Sequence, residues 1–333
     1  MSAEVQERPA RRIAEAHVPR LGGGTDRDVP PAKRLAARLA LSLPFVIVAA
    51  LVVTSGRLMT ATPNDTFALR ASGIAWDRAD PAWVAQLYPP ITTVVAALVP
   101  GGELGMTVVG ALVTGFLLHA LIEGMRRRGA AVSTTILFTV ALAANPLFAF
   151  AATENLPAFI GIGLFGLGFA DLVRFTVHRD TQSGFRAGIL LMLAALSDPS
   201  GIVYVVVATL AAPLLSSGRG TRVARGSSNT LVVLFPSLCA FGIVFLLDWV
   251  FLGTPTALFA GMVEWDPARL VIFSSIFATP LGWLWLASMG GTWVIALVTN
   301  RPGAVVLTAM LFAAEVVGYL FGLVPVTPPA RST

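Results

Sequence analysis

Long apolar runs separated by short arginine-bearing connections dominate this chain and leave few ways to fold it. Runs that approach or exceed the ~20 residues needed to cross a bilayer as a helix recur through residues 39–324. Hydrophobic residues make up 56% of the 333-residue chain and charged residues only 12%, where a soluble domain carries about 25% charged residues. The runs are continuously apolar rather than alternating, which argues against a transmembrane β-barrel. Helices close their backbone hydrogen bonds within each span. The expected fold is therefore an all-α polytopic membrane protein.

The arginines set its expected topology. Nine spans are predicted, over 39–56, 104–124, 130–152, 156–176, 186–198, 201–217, 229–252, 270–298 and 303–324. With this count, 18 of the 23 Lys and Arg residues fall on one side and 5 on the other. Basic residues accumulate on the cytoplasmic side, so the N-terminus is expected inside and the C-terminus outside. A net charge of +5 distributed in this way speaks against nucleic acid as a partner. Residues 1–38 are polar, contain no secretory apolar core, and read as a disordered cytoplasmic tail with affinity for membrane lipid. Residues 325–333 form an outer tail. The single Cys239 cannot form an internal disulfide. The run 186–198 is short for a span and is interrupted at Asp198-Pro199-Ser200-Gly201. Either a pair of helices meeting near the outer surface or one broken, partly re-entrant segment is consistent with it.

The first outer loop, 57–103, is too elaborate for a linker. It opens with Thr62-Pro63-Asn64-Asp65, continues through Trp76, Asp77, Asp80-Pro81 and Trp83, and closes with Tyr88-Pro89-Pro90 and the apolar run 88–100. Asp80-Pro81 reads as a helix start, in which the carboxylate accepts orphan backbone N–H groups and proline fits the first turn. Asp266-Pro267 repeats the pattern ahead of the eighth span. Trp76, Trp83 and Tyr88 suit interfacial helices. Asp65 has two readings, a cap on the helix that contains Phe67 or a carboxylate held at the membrane surface as a general base.

Further acids are expected on the same face: Glu103, Glu154, Asp198, Asp248, Glu264 and Asp266. Orientation alone accounts for much of this, since it selects against basic residues there. Glu315 lies inside the ninth span, where an ionisable group costs roughly 2.5–3.5 kcal/mol, so it should have a partner. His119 and Glu123, four residues apart on the second span, are expected to pair locally. Gly161, Gly163, Gly166 and Gly168 in the fourth span predict close helix packing, with a lipid-tail groove as the alternative.

The order of these features resembles the amino-terminal membrane module of GT-C-fold glycosyltransferases, over about residues 39–217. In that family a first span leads to an outer loop opening with a catalytic acid, matched here by Asn64-Asp65. Helices along the membrane and a Tyr/His-Pro-Pro stretch follow, matched by Tyr88-Pro89-Pro90. Arg126-Arg127-Arg128 corresponds to the basic cluster after the second span. Asn145-Pro146 and Thr153-Glu154-Asn155 look like the end of the third span, and Ser197-Asp198-Pro199-Ser200-Gly201 is similar to the family's broken segment. The chain departs from the pattern in carrying a lone first acid, no large extracytoplasmic domain after span nine, and none of the usual later motifs.

The resemblance implies an inverting glycosyltransferase of the bacterial plasma membrane. It would move a sugar from a polyprenyl-phosphate donor to an envelope glycan or lipid acceptor. Asp65 would be the catalytic base, and Glu154, Asp198 and Tyr88 would belong to the substrate site. Arg57, Arg70 and Arg269 are the cations expected to meet the departing phosphate. Such carboxylates also offer hard oxygen ligands for a divalent cation, Mg or Mn, although the spacing does not demand one. Two other readings stand beside it: a non-catalytic subunit that works with other membrane proteins, and a transporter of lipid-linked sugars.

Overall fold

Apolar residues with few interruptions leave the backbone little choice but to bond to itself in helices. The computed structural model describes residues 30–54, 62–74, 83, 87–127, 129–178, 180–217, 224–255, 263, 265–298 and 302–323. All the regular elements among them are α-helices: α1 (Pro31–Thr54), α2 (Pro63–Gly73), α3 (Pro90–Leu98), α4 (Glu103–Arg127), α5 (Val132–Ala143), α6 (Pro146–Glu154), α7 (Leu156–His178), α8 (Thr181–Ser197), α9 (Ser200–Ser217), α10 (Ala224–Leu252), α11 (Ala268–Ile276), α12 (Pro280–Val298) and α13 (Pro302–Leu320).

Four stretches are long and apolar enough to cross a membrane: Pro31–Leu51, Glu103–Arg127, Leu156–Thr176 and Asn229–Leu252. Val132–Ala143 and Phe148–Glu154, bent by 59°, make a fifth if they count as one span. This is the helical body of a membrane protein.

Several predicted runs divide where proline enters. The run 130–152 becomes α5 and α6, with the break at Asn145-Pro146, and the Asn145 carboxamide accepts from Phe148 N at 3.4 Å. The run 270–298 was expected to be one span and is two helices, α11 and α12, divided ahead of Pro280. Proline lacks the N–H that would continue the ladder and pushes the preceding residue out of helical geometry. Residues 181–217 form two helices, α8 and α9, that meet at Asp198-Pro199. The first helix begins five residues earlier than expected, at Thr181. Asp180 starts it by accepting from Gln182 N at 3.2 Å and from the Ser183 hydroxyl at 2.6 Å. The Ser183 hydroxyl bond is the main reason this exposed carboxyl titrates below its ordinary range.

Small residues bring the helices together. A methyl on Gly115 would lie 2.0 Å from the Ser42 hydroxyl, and one on Gly110 would lie 2.0 Å from Ala152 O. Ser42 also donates to Leu112 O of α4 at 3.2 Å, and with Arg38 over Phe116 one turn away this makes α1 antiparallel to α4. In the fourth predicted span, now α7, Gly161 and Gly168 meet α8, and Gly163 meets Leu117 of α4. Gly166 has nothing within 4 Å of its missing Cβ. Close packing thus explains three of these glycines, and the fourth faces open space. The largest buried cluster joins Leu172 and Phe175 of α7, Leu191 of α8, Tyr204 and Ala208 of α9, and Val233 of α10.

The bundle has two unlike ends. One, the cap end, is crossed by the short helices α2 and α3, which contact each other, α4, α7 and α8. The other, the basic end, gathers Arg38, Arg127 and Arg186 around one cavity.

Candidate functional site

The cap end is built around Asn64. Thr62 is the N-cap of α2, and its hydroxyl accepts from Asp65 N at 3.1 Å. The same hydroxyl donates to Glu103 Oε1 at 2.5 Å, tying the start of α2 to the start of α4. Pro63 fills the first turn, where a missing N–H costs nothing. Asn64 then points into the protein and is fully buried. Its amide donates to Thr153 O at 2.9 Å and to Thr107 Oγ1 at 3.4 Å, and its oxygen accepts from Leu156 N at 2.8 Å. Thr153 and Leu156 lie on either side of the α6–α7 break, so one side chain satisfies a carbonyl and an N–H that this break orphans.

Asp65 follows Asn64 and is half-buried. Because Thr62 supplies the cap, the Asp65 carboxylate is not the helix start, and no hydrogen bond or ion pair holds it among the described residues. Glu154 lies between the two backbone groups that Asn64 binds. The two acids therefore flank a single hydrogen-bonded junction although they are far apart in sequence.

A second junction lies beside it. The last carbonyls of a helix have no partner within it, and those of α8 are taken up from outside. The Tyr88 hydroxyl donates to Ala195 O at 2.8 Å, Thr92 of α3 donates to Ser197 O, and Asp198 N donates to Ala194 O at 3.2 Å. Asp198 is buried, and its carboxylate accepts from Ser200 N at 3.0 Å and from the Ser200 hydroxyl. A methyl on Gly201 would fall 2.2 Å from Ala194 O, so only glycine lets α9 leave this close to the end of α8. The Tyr204 hydroxyl neighbours both Ser200 and Glu315 of α13, which makes Tyr204 the polar neighbour expected for Glu315.

Tyr88 also borders an apolar groove of about 580 Å³ between α8 and α10. Phe185, Ile189, Met192 and Leu196 line one wall, and Phe235, Cys239, Ile243 and Leu247 line the other. From Phe185 to Leu196 the wall is about 16 Å long, at ~1.5 Å per helical residue.

The two proposed cations among the described residues lie on different helices. Arg269 belongs to α11 and is engaged elsewhere, donating to Tyr319 O at 3.1 Å and lying 4.0 Å from Asp266. Asp266 also accepts from Ala268 N at 2.9 Å, the capping role expected for Asp266-Pro267. Arg70 is exposed near the end of α2 and makes no ion pair among the described residues. Arg57 lies outside the described residues, as do Trp76, Asp77, Asp80-Pro81 and Glu264. Glu123 pairs with Arg127 at 3.4 Å rather than with His119. Among the described residues no three His, Cys, Asp or Glu side chains converge as a metal-binding group.

Sequence reasoning singled out Asp65, Glu154, Asp198 and Tyr88 but missed the work done by Asn64, Thr92 and Tyr204. One signal was available. Thr62-Pro63-Asn64-Asp65 has the spacing of a capping box with proline at the first helical position, which assigns the cap to Thr62. No protein-family profile, curated protein or solved structure matches this chain.

Proposed function

We propose that the protein is an inverting glycosyltransferase of the bacterial plasma membrane, using a polyprenyl-phosphate sugar as donor and an envelope glycan or lipid as acceptor. In this reading the chain has nine spans and a GT-C-like arrangement, with its N-terminus cytoplasmic and α2 and α3 at the outer membrane surface. The observation that carries it is the contrast at Asn64-Asp65. Asn64 is locked into the fold, while the next side chain is a half-exposed carboxylate that no described residue binds.

Asp65 takes the proton of the acceptor hydroxyl as its oxygen attacks C1 of the sugar. The bond from C1 to the phosphate oxygen breaks on the opposite face, and the phosphate leaves with the electron pair. Glu154 positions the acceptor through hydrogen bonds to its hydroxyls. Arg70 is the cation offered to the leaving phosphate, and the groove beside Tyr88 accommodates the apolar part of the donor.

The test is transfer of labelled sugar by purified protein offered a panel of polyprenyl-phosphate sugars. Asp65→Asn should lower transfer by about 10²–10⁴-fold, the usual contribution of a general base, while leaving the fold intact. Unchanged transfer removes Asp65 from the mechanism.

A second reading, a non-catalytic subunit of an envelope-assembly complex, draws on a different observation. Tyr88, Asp198 and Arg269 all have polar groups committed to backbone atoms or neighbouring side chains of this chain. That reading expects stable co-purification with a membrane partner and no transfer from any donor in the panel.

A further inference from the structure

The basic end of the bundle holds a cavity of about 590 Å³. It is remote from the acids of the cap end and has no part in the proposed transfer. Its walls have two chemistries. On one side they are apolar side chains such as Leu117, Leu121, Phe138 and Ile162, the last two about half exposed on the flank of the bundle. At the rim they are charged.

Two of the rim arginines have partners within the protein. Arg127 lies 3.4 Å from Glu123, and Arg186 lies 3.1 Å from the buried Asp171. Arg38 has none of this kind. Its guanidinium sits 5.0 Å over the Phe116 ring, its Nε is buried with no hydrogen-bond acceptor, and it makes no ion pair among the described residues. Three guanidinium groups against two carboxylates leave the rim positive, and the buried Arg38 Nε is unsatisfied. A buried N–H without an acceptor is costly, and an anionic group placed there would remove the cost.

Glycine keeps the space open. Gly124 and Gly166 both line the cavity, and neither has an atom within 4 Å of where a Cβ would be. The cavity lies against α4 and α7, two of the helices long and apolar enough to cross a membrane. Its apolar flank would accept acyl chains while its charged rim meets a headgroup.

From this cationic rim over an apolar, glycine-floored cavity, we infer that the basic end is a binding site for one anionic glycerophospholipid. The phosphate accepts from Arg38, with Arg127 and Arg186 adding to the field, and an acyl chain runs over Gly166. Arginine suits this because its planar fork matches phosphate oxygens. Basic pockets between membrane helices are a known way to hold anionic headgroups.

The full chain in mixed micelles, titrated with phosphatidylglycerol or phosphatidylcholine and read by native mass spectrometry, tests this. Phosphatidylglycerol should bind at least tenfold more tightly than phosphatidylcholine. Arg38→Ala should lose most of that preference, and Arg38→Lys should restore part of it. Gly166→Leu should weaken phosphatidylglycerol binding at least tenfold by filling the cavity. Gly242→Leu on α10, where a Cβ also has nothing within 4 Å, should leave it unchanged. Inorganic phosphate at millimolar concentration should not displace the lipid. The assignment fails if the two lipids bind alike or if Gly166→Leu has no effect beyond that of Gly242→Leu. Displacement by inorganic phosphate would make this a simple anion site and equally overturn it.

Discussion

The two ends of the bundle handle polar groups in opposite ways. At the cap end, the broken helix ends at α6–α7 and α8–α9 are sewn together by side chains, Asn64, Tyr88 and Asp198, bonded to backbone atoms. At the basic end, charged side chains pair with one another around an open cavity, and Arg38 is left over. Side chains that satisfy backbone groups cannot be changed without exposing those groups to an apolar interior. Charges at a rim keep some access to water or headgroups, so changing them alters binding more than stability. The difference separates residues that hold the fold from residues that remain open for a ligand.

The largest expected effect comes from breaking the first junction. Asn64→Leu preserves volume but orphans Thr153 O and Leu156 N, both buried. At about 1–3 kcal/mol for each unsatisfied group, the loss should be about 2–6 kcal/mol by reversible unfolding in mixed micelles. A loss below about 1 kcal/mol would mean that water reaches this junction and that the contrast between the ends is weaker than the geometry indicates.

Gly201→Ala probes the second junction. The added methyl would meet the Ala194 carbonyl and the Ala195 amide, which are backbone atoms and cannot swing aside. Overpacking of this kind costs about 1–3 kcal/mol, visible in the same unfolding measurement. A neutral result would show that α8 and α9 separate at little cost.

Glu123→Gln at the basic end should be the mildest change. It removes one carboxylate from an i,i+4 pair with Arg127, an interaction worth about 0.2–0.5 kcal/mol. A stability loss as large as that of Gly201→Ala would erase the distinction between a sewn end and an open one.

Much of the architecture was legible in the chain. Apolar runs became helices, and Arg38, Arg127 and Arg186 line one cavity. Asp266-Pro267 acts as a cap, while 88–100 contains a short helix. The division of 270–298 was also written in the sequence, at Pro280, since proline interrupts a helix wherever it falls beyond the first turn. The site was less legible. Asn64 looked like the companion of Asp65 and is a buried clamp. Asp198 stood out as an acid at a break, and its carboxylate is held by Ser200 two residues away. His119 and Glu123 had suitable spacing, yet Arg127 on the same helix took the carboxylate.

The sequence by itself determined that this chain is helical, that several helices are long and apolar enough for a bilayer, and where most of them begin and end. Those outcomes depend on local rules: backbone hydrogen bonds that must close without water, prolines that interrupt, and side chains that cap. Only the tertiary structure decided which of two adjacent polar residues is locked and which is left open. Asn64 and Asp65 have nearly the same shape and sit on the same turn. Their difference arises from Thr107, Thr153 and Leu156, residues 43 to 92 positions away. Burial and hydrogen-bond partners are set by which helices meet, and no local pattern records that.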